Sequence, residues 1–485
     1  MVRSGRCHRP PYGVRRSPGK GVPVRALRNR RISSLLLLTL LCVACASTTK
    51  KATAPGGTTG GTTAATAGSA GQPSNAPATG VTPTTVKLGV TMVDFNCIKP
   101  FVEGVQIQQQ EMYQLYIDYI NAHGGLAGRQ IQPVYETYCP IGNTQALALC
   151  TKLTEDDKVF AVVGNFVDFS GDAQTCLTRN HHTPLVTFTL TKAIIDQSPP
   201  GLIVYPGSTP ERIDSVLVDL MQKQHTLRGK KVAVLGETTS QNVVNSSVIP
   251  ALKKLGVASG STAILNITNA DTAAAQAQLD SFIERWKTEH VDALFVTGGQ
   301  VSSQQFVEKV RARMPTVTLI TDDDTANTFG QEEQTAGRTP NPYEGILIAA
   351  GQTDHEYDQS ANWKYCQDIY QHQTGRVPPN RETVEPKGPD GKVQDLYGSV
   401  SNGCQDLAIL QQIGDRAGKH LNAGTWAAAV NSYGPIRDVG GGQFASLHMG
   451  KYDTNDTYRL EEFDSSIPPH GNWRPLTPLE NIAGT

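Results

Sequence analysis

Residues Asp118 to Gly164, DYINAHGGLAGRQIQPVYETYCPIGNTQALALCTKLTEDDKVFAVVG, decide the fold of this chain. The pattern predicts a helix from about Phe101 to Ala122 that stops at Gly124-Gly125, because glycine readily takes the positive φ of a helix C-terminus. A short strand, Gln130 to Glu136, follows, and then a helix from about Asn143 to Thr154 and a buried strand, Val159 to Val163. Helix, strand, helix and strand at this spacing are typical of βαβ units, so the sequence predicts a parallel sheet.

The overall composition excludes some partners. The chain has 485 residues and a formal net charge of −1, so it shows no bias toward nucleic acid or acidic substrates. The length is sufficient for two lobes with separate cores. The first 31 residues contain many Arg and Lys residues and no acidic residue, and an apolar run from Ile32 to Cys45 follows. That run is too short to cross a bilayer, but it has the length of a signal-peptide core.

The end of the apolar run predicts a membrane anchor. Val43-Ala44-Cys45 resembles a bacterial lipobox, which implies that Cys45 becomes the lipidated first residue of an extracytoplasmic protein. Cys42 departs from the pattern, because the lipobox usually has Leu there. Plain secretory cleavage and an uncleaved anchor are the alternatives, and the short run disfavours the second. Residues Ala46 to Thr84 are mainly Thr, Gly, Ala, Ser and Pro, a composition that predicts a flexible tether.

Six cysteines remain after Cys45, and outside the cytoplasm they suggest three disulfides. We pair Cys366 with Cys404, and Cys150 with Cys176, because each pair lies on successive helices of one lobe that should pack side by side. Cys97 and Cys139 then remain, on neighbouring loops. Zinc is the competing interpretation, but the sequence has no C-x-x-C or paired His spacing, and we interpret His181-His182 as a polar loop.

The residue pattern of the stretch Asp118 to Gly164 resembles that of a known family. A helix that ends in N-x-x-G-G-L-x-G-R (Asn121 to Arg129), then a strand, a helix and a strand that ends in V-V-G (Val162 to Gly164), is similar to the type I periplasmic binding proteins. The resemblance is to the branch that binds branched-chain amino acids and amides, and it covers about Val86 to Phe463.

The resemblance implies an α/β fold with two doubly wound parallel-sheet lobes, joined by a hinge of three crossovers. Leu202 to Pro206 and Ile346 to Ala350 resemble the first two crossovers, and Gly440 to Phe463 reads as a closing hairpin. The expected organisation is a signal peptide (1–45), a tether (46–85), a first lobe (86–206 and 350–436), a second lobe (207–349 and 437–465) and a C-terminal tail (466–485).

Ligands of open parallel sheets bind outside the carboxyl ends of the strands, so the loops at these ends are the candidate site. The side chains selected on these loops are Phe95, Phe169, Ser170, Thr189, Thr191, Thr239, Gln300 and Asp323. The family resemblance implies that Ser170 and Thr191 hold a ligand carboxylate, and that Asp323 holds an ammonium group. A plain helix cap is the alternative for Ser170, and a solvated helix start is the alternative for the run Asp322 to Asp324.

The candidate pocket departs from that of the amino-acid binders, which line it with aromatic side chains. Gly236 to Gln241 and Thr297 to Gln300 lack such residues, although Phe95, Phe166 and Phe169 lie on other loops. We therefore expect a ligand that is more polar than leucine.

No catalytic motif accompanies these loops, since the sequence contains no G-x-S-x-G and no H-E-x-x-H. Gly440 to Gly442 is a turn rather than a phosphate loop, because it lacks the accompanying strand, Lys and helix.

The sequence therefore predicts a lipid-anchored, extracytoplasmic solute-binding protein of an ABC importer. It would be a monomer without a cofactor or metal, and its partners would be a small polar ligand and a membrane permease. A ligand sensor that signals to a membrane partner is the first alternative, and a secreted enzyme on the same lobes is the second. The signal peptide excludes a repressor, because it occupies the place of a DNA-binding head.

Overall fold

The computed structural model describes residues 78–99, 102, 104–266, 272–298, 301, 304–322, 337–468 and 471–484. The predicted signal peptide, Cys45 and most of the tether lie outside this part, and so do the predicted ligand residues Gln300 and Asp323. Within it, no helix combines the length and the apolar character needed to cross a membrane.

The strands alternate with helices along most of the chain. The strands are β1 (Thr85–Val93), β2 (Gly104–Gln106), β3 (Gln130–Tyr138), β4 (Ala161–Gly164), β5 (Leu185–Thr187), β6 (Ile203–Val204), β7 (Lys231–Glu237), β8 (Ala258–Leu265), β9 (Ala293–Thr297), β10 (Thr318–Thr321), β11 (Leu347–Ala350), β12 (Val393–Asp395), β13 (Gly434–Pro435), β14 (Ser446–Leu447), β15 (Thr457–Asp464), β16 (Asn472–Pro475) and β17 (Glu480–Asn481).

The helices are α1 (Phe95–Ile98), α2 (Gln109–Ala122), α3 (Thr144–Thr151), α4 (Asp172–Thr175), α5 (Lys192–Gln197), α6 (Pro210–Lys223), α7 (Gln241–Val243), α8 (Ile249–Lys254), α9 (Thr272–Thr288), α10 (Gln304–Arg313), α11 (Asp354–Asp358), α12 (Ala361–Thr374), α13 (Leu396–Ala417) and α14 (Ala423–Asn431). Short π-helical segments extend α3 and α4, and a third joins α7 to α8. Pro250 is tolerated in that helix because it lies in the first turn of α8.

Two sheets form the centres of two lobes. The first lobe is built on the order β3-β1-β4-β5-β6, in which every neighbouring pair is parallel. The second lobe is built on β8-β7-β9-β10-β11, also parallel; β15 then pairs antiparallel with β11, and β16 pairs antiparallel with β15. This arrangement confirms the predicted α/β class with parallel sheets.

Apolar side chains cover both faces of the second sheet. Along β7, Ala233 and Leu235 belong to one buried cluster, whereas Val232 and Val234 belong to another. Alternate residues of a strand point to opposite faces, so a sheet with helices on both sides needs this continuous apolar pattern. A large third cluster holds the first lobe together, and it includes Val90, Ile117, Val163, Ile203 and Leu410.

Three predicted elements differ from the structure. The helix expected from Phe101 to Ala122 begins only at Gln109, and the strand β2 precedes it. The expected hairpin from Gly440 to Phe463 forms only around a turn at Met449-Gly450, where Ala445 bridges Asn455 and His448 bridges Lys451, and β15 leaves it to pair with β11. The expected tail, 466–485, contributes β16 and β17 to the second lobe. In each case the partner strand is one that local patterns did not identify.

The lobe boundary also falls later than expected. Val439, Leu447 and Tyr452 pack in the core of the first lobe, whereas the expected boundary assigned residues after 436 to the second.

The lobes are joined by three crossovers, and two of these pair with each other. The backbone N–H of Tyr205 donates to Tyr452 O (2.8 Å), and those of Thr454 and Asn455 donate to Tyr205 O and Gly207 O (2.9 Å each). The segments form a parallel bridge between Tyr205 and Asp453. The first and third crossovers therefore behave as a single two-stranded hinge.

All six cysteines among the described residues form disulfides. The pairs are Cys97–Cys139, Cys150–Cys176 and Cys366–Cys404, the same three pairs that we assigned from the sequence. The third links α12 to α13. The first ties the loop after β1 to the loop after β3, next to the candidate ligand loops.

The Pro- and Gly-rich insertion between α12 and α13 folds against the first lobe. Its last residues form β12, which pairs in parallel with β2. Glu385 accepts hydrogen bonds from the backbone N–H groups of Leu396 (2.9 Å) and Tyr397 (2.8 Å), at the start of α13. Asp395, which caps the same helix, lies beside it. Burial and the Asp395 charge raise the pKa of Glu385 from 4.5 to about 7.

This raised pKa predicts how stability depends on pH. Below about pH 4.5 the folded and unfolded states both hold the Glu385 proton, and between 4.5 and 7 only the folded state holds it. The group therefore makes the free energy of unfolding decrease as the pH rises through this window. Glu385→Gln keeps an acceptor and removes the titration, so we expect a smaller difference between the urea midpoints at pH 5 and pH 8.

Glu111→Gln is the matched control, because Glu111 is an exposed glutamate in the first turn of α2. If the urea midpoint of the Glu385→Gln variant changes with pH as much as that of the unchanged protein, Glu385 is ionised throughout this window.

Candidate functional site

The predicted ligand residues lie on loops at the carboxyl ends of parallel strands. In the first lobe these loops follow β1, β4 and β5, which are neighbours in the sheet. The loops bring five of the selected side chains to one edge: Phe95, Phe169, Ser170, Thr189 and Thr191. Thr239 lies at the equivalent edge of the second lobe, directly after β7.

Ser170 is occupied by two neighbouring carboxylates. Its Oγ lies 2.7 Å from Asp168 Oδ1 and 3.0 Å from Asp172 Oδ2. Asp168 is almost fully buried, and it also accepts from the backbone N–H groups of Ser170 (3.0 Å) and Ala173 (2.9 Å). The Asp168 carboxylate thus holds the position at the start of α4 where the resemblance implied a ligand carboxylate. Sequence reasoning missed this role, although an Asp two residues before a Ser at a helix start was a usable signal.

Thr191 caps α5, and a carboxylate from the second lobe assists it. Thr191 Oγ1 accepts from the backbone N–H of Ile194 (3.3 Å). Glu211, in the first turn of α6, accepts from the backbone N–H of Lys192 (3.0 Å). Burial raises the pKa of Glu211, and the Lys192 and Ala193 backbone donors partly oppose the rise. A ligand carboxylate would therefore meet existing acidic groups at the starts of both α4 and α5.

The two phenylalanines differ in their availability. Phe95 is buried, because its ring packs with Val93 and Val102 in a small separate cluster. Phe169 is 62% exposed, and its ring is free to contact a ligand at the sheet edge. Thr189, also exposed, has φ of +59°, a backbone conformation that is costly for a β-branched residue and that clusters at functional sites.

A buried glutamate organises the edge of the second lobe. Glu237, the last residue of β7, accepts from Thr239 Oγ1 (2.7 Å) and from the backbone N–H of Val301 (3.2 Å). Gly298 passes beside it with φ of +125°, and a Cβ there would lie 2.6 Å from Glu237 Cγ. Only glycine fits this position. Thr239, which we selected as a ligand residue, therefore uses its hydroxyl hydrogen within the protein.

A second buried acid follows β10. Asp322 is 2% exposed and accepts from the hydroxyl of buried Thr297 (3.1 Å). Of the acidic run at 322–324, this first residue is therefore built into the sheet edge. The next two, including the predicted Asp323, lie outside the described residues.

The charges of these edges are mainly negative. The described loops carry the acidic side chains Asp168, Asp172, Glu211, Glu237 and Asp322. Two lysines on the first lobe's loops are already paired: Lys99 lies 2.8 Å from Asp390, and Lys192 lies 2.6 Å from Asp196. This balance favours a cationic group on a bound molecule over an anionic one.

The described residues also contain a group with the spacing of metal ligands. It consists of Cys150, Cys176 and His181. The two sulfur atoms form a disulfide and so cannot act as thiolate ligands.

Comparisons with known proteins agree with this architecture. The profile of the family described as "Periplasmic binding protein" matches residues 107–383, more than half of the chain. A comparison with curated protein sequences gave no match.

Several solved structures share the fold. One is a solute-binding protein of an ABC transporter from Rhodopseudomonas palustris BisB5, in complex with 3,4-dihydroxybenzoic acid (17% identity, 82% of this chain and 98% of that one, TM-score 0.57). A fatty acid ABC transporter substrate-binding protein from Thermomonospora curvata is similar (16% identity, 82% and 94%, TM-score 0.57). So is a leucine-binding protein from Thermotoga maritima (14% identity, 82% and 99%, TM-score 0.56).

The family consists of extracytoplasmic binding proteins rather than enzymes. Its profile covers β3 to β11 and the loops described above, except the loop after β1. The chain therefore belongs to the periplasmic binding protein family.

Proposed function

We propose that this protein is the lipid-anchored ligand-binding component of an ABC importer. It binds a small polar molecule, such as an amino acid, an amide or a related metabolite, between its two lobes. One observation carries the proposal: each lobe presents its polar side chains at the carboxyl edge of its parallel sheet, where ligands of such sheets bind. The similarity to ABC transporter binding proteins supports the transport role.

Closure of the lobes on the ligand gives the signal for delivery to a permease. A ligand that contacts both edges binds the closed form better than the open form, and it therefore shifts the population toward closure. Hinges are built from a few residues between rigid bodies. The paired crossovers at Tyr205 and Asp453 fit this requirement, since each lobe has its own core and little chain connects them.

The charge of the edges narrows the ligand class. Asp168 and Glu211 occupy the starts of α4 and α5, so the usual donors for a ligand carboxylate are already engaged. Glu237 and Asp322 are buried at the opposite edge. We therefore infer that the ligand carries an ammonium group, and that any carboxylate it has is held by donors other than Ser170.

A thermal-shift screen tests the function most directly. A ligand that binds only the folded protein stabilises it by RT ln(1 + L/Kd), where L is the free ligand concentration, and so raises its melting temperature. The screen covers amino acids, amides, short peptides, amines and short carboxylates. Stabilisation by a compound with an ammonium group supports the proposal, and stabilisation by simple carboxylates alone contradicts the inferred ligand class.

A sensor that signals to a membrane partner remains the alternative to a transporter. Neighbouring genes for a permease and an ATPase, together with uptake of the identified ligand by cells, distinguish transport. Binding without uptake would favour the sensor.

Asp323 is the residue that we expect to hold the ammonium group. Asp323→Ala should weaken binding of the ligand identified in the screen by roughly 2–5 kcal/mol, because it leaves the ammonium group without its charged partner. The unliganded protein should lose much less stability, since an open cleft leaves this carboxylate hydrated. Isothermal titration calorimetry and thermal melts of the same samples measure both effects.

The two neighbouring acids, Asp322 and Asp324, test different effects. Asp324→Ala tests whether any acid of the run is sufficient. Asp322→Ala should instead destabilise the fold itself, because Asp322 is buried and accepts from Thr297. Equal and small losses of affinity in Asp323→Ala and Asp324→Ala would show that the run is a solvated loop.

The anchor proposal gives a separate prediction. Lipidation takes place on the Cys45 thiol, so Cys45→Ala should release the protein from the membrane or leave the precursor unprocessed. Cell fractionation and intact mass measure these outcomes, and Cys7→Ala is the matched control because Cys7 lies outside the lipobox. A mature N-terminus well beyond residue 45 would contradict the prediction.

A further inference from the structure

The first lobe contains a pocket that the sequence analysis did not identify. A cavity of about 400 Å³ lies at the carboxyl end of β1, among the loop after β1, the segment β2 to α2 and the insertion. This volume is within the range of small-molecule sites. All its lining residues belong to the first lobe, so it does not require the second lobe to close over it.

Amide side chains dominate the polar lining of this pocket. They come from α1, β2, the start of α2 and β12, and they are Asn96, Gln106, Gln108, Gln109 and Gln394. A primary amide offers both donors and an acceptor without a charge. Five of them from four elements form a lining that suits a molecule with several neutral hydrogen-bonding groups.

Gln109 has an unused acceptor at this pocket. Its Nε2 donates to Val93 O (3.0 Å), whereas its Oε1 is buried and has no hydrogen-bond partner among the residues that the structure describes. A buried acceptor without a partner is unfavourable, so a donor that reaches it is stabilising. Gln394 is also weakly engaged, because the contact from its Nε2 to Lys392 O is long, at 3.4 Å.

The charged groups of the pocket already have partners within the protein. Asp94 accepts from the backbone N–H of Asn96 (3.0 Å) and caps α1. Lys99 pairs with Asp390 of the insertion at 2.8 Å. An ionic ligand would compete with these contacts, whereas a neutral ligand leaves them intact. Ile107 supplies apolar surface beside the amides, whereas Val93 and Phe95 are buried.

Strand pairing and a disulfide fix the segments that line the pocket. β12 of the insertion pairs with β2, and the Cys97–Cys139 disulfide fixes the loop after β1. Gln108 has φ of +57°, a left-handed backbone at a residue other than glycine. Such conformations persist where the surrounding structure imposes them, and they cluster at ligand sites.

We infer that this pocket binds a neutral, hydroxyl-rich small molecule of about the size of a monosaccharide, and that the first lobe alone provides the site. Hydroxyl groups donate to and accept from amides, and the C–H faces of such a molecule pack on Ile107. The inference goes beyond the proposed function, because the pocket shares only Phe95 with the residues that we selected for the transported ligand, and its lining contains none of the acidic groups Asp168, Asp172, Glu211, Glu237 and Asp322.

The test uses the full-length chain and a panel of neutral probes: glucose, galactose, mannose, ribose and myo-inositol. Saturation-transfer difference NMR and calorimetry, in buffers without glycerol, identify which probe binds. We expect Gln109→Leu and Gln394→Leu each to lower the affinity for that probe at least tenfold. Gln110→Leu is the matched control, because Gln110 is the exposed neighbour on α2 and is not part of the lining.

Gln109→Leu and Gln394→Leu change different elements, so one local folding defect cannot explain a loss of binding in both. Circular dichroism checks that each variant is folded. Binding that both Gln109→Leu and Gln394→Leu retain within twofold would overturn the proposal, as would the absence of binding by every probe at about 10 mM, well above a millimolar Kd. Asp323→Ala should leave this affinity unchanged. An equal loss in that variant would show that the second lobe takes part, and it would contradict a site in the first lobe alone.

Discussion

The parallel pairing of the first and third crossovers is the constraint on which the two-lobed arrangement depends. It places Arg212 of α6 against Asp453 (3.3 Å) and Asp456, and it buries Lys451 beside the same two aspartates. Burial lowers the pKa of Lys451, while the two aspartates oppose this effect. Buried charges of this kind specify one geometry more than they add stability, because breaking one pair leaves the other charge unpaired. The hinge therefore has a defined position from which the lobes can move.

The carboxyl edges of the two sheets both carry acidic side chains. In the first lobe Asp168 and Glu211 occupy the donors at the starts of α4 and α5, and in the second lobe Glu237 and Asp322 are buried at the strand ends. A fold that is widely used to hold carboxylates thus has acidic groups at the donor positions. Small changes at loops on a common scaffold are sufficient to change the ligand class, because the fold fixes where the loops lie and not what they carry.

The insertion between α12 and α13 contacts two regions of the chain, α11 at one end and the amide-lined pocket at the other. Near the hinge, the Arg381 guanidinium lies 3.8 Å over the ring of Tyr357 and donates to Tyr397 Oη (2.9 Å). Further along, Glu385 caps α13 and Asp390 pairs with Lys99 at the mouth of the amide-lined pocket. The insertion therefore forms a wall of that pocket, while its other end packs against α11.

The sequence by itself determined the parallel sheets, because the alternation of strands and helices is a local pattern, as in the stretch from Asp118 to Gly164. Cysteine positions on successive helices were likewise enough to assign two of the three disulfide pairs that the structure contains, and the two remaining cysteines, on neighbouring loops, made the third. Only the tertiary structure decided the strand β2 and its pairing with β12, because these segments lie almost 300 residues apart in the chain. It also decided what Ser170 contacts, because side-chain geometry determines whether Asp168, Asp172 or a ligand receives that hydroxyl.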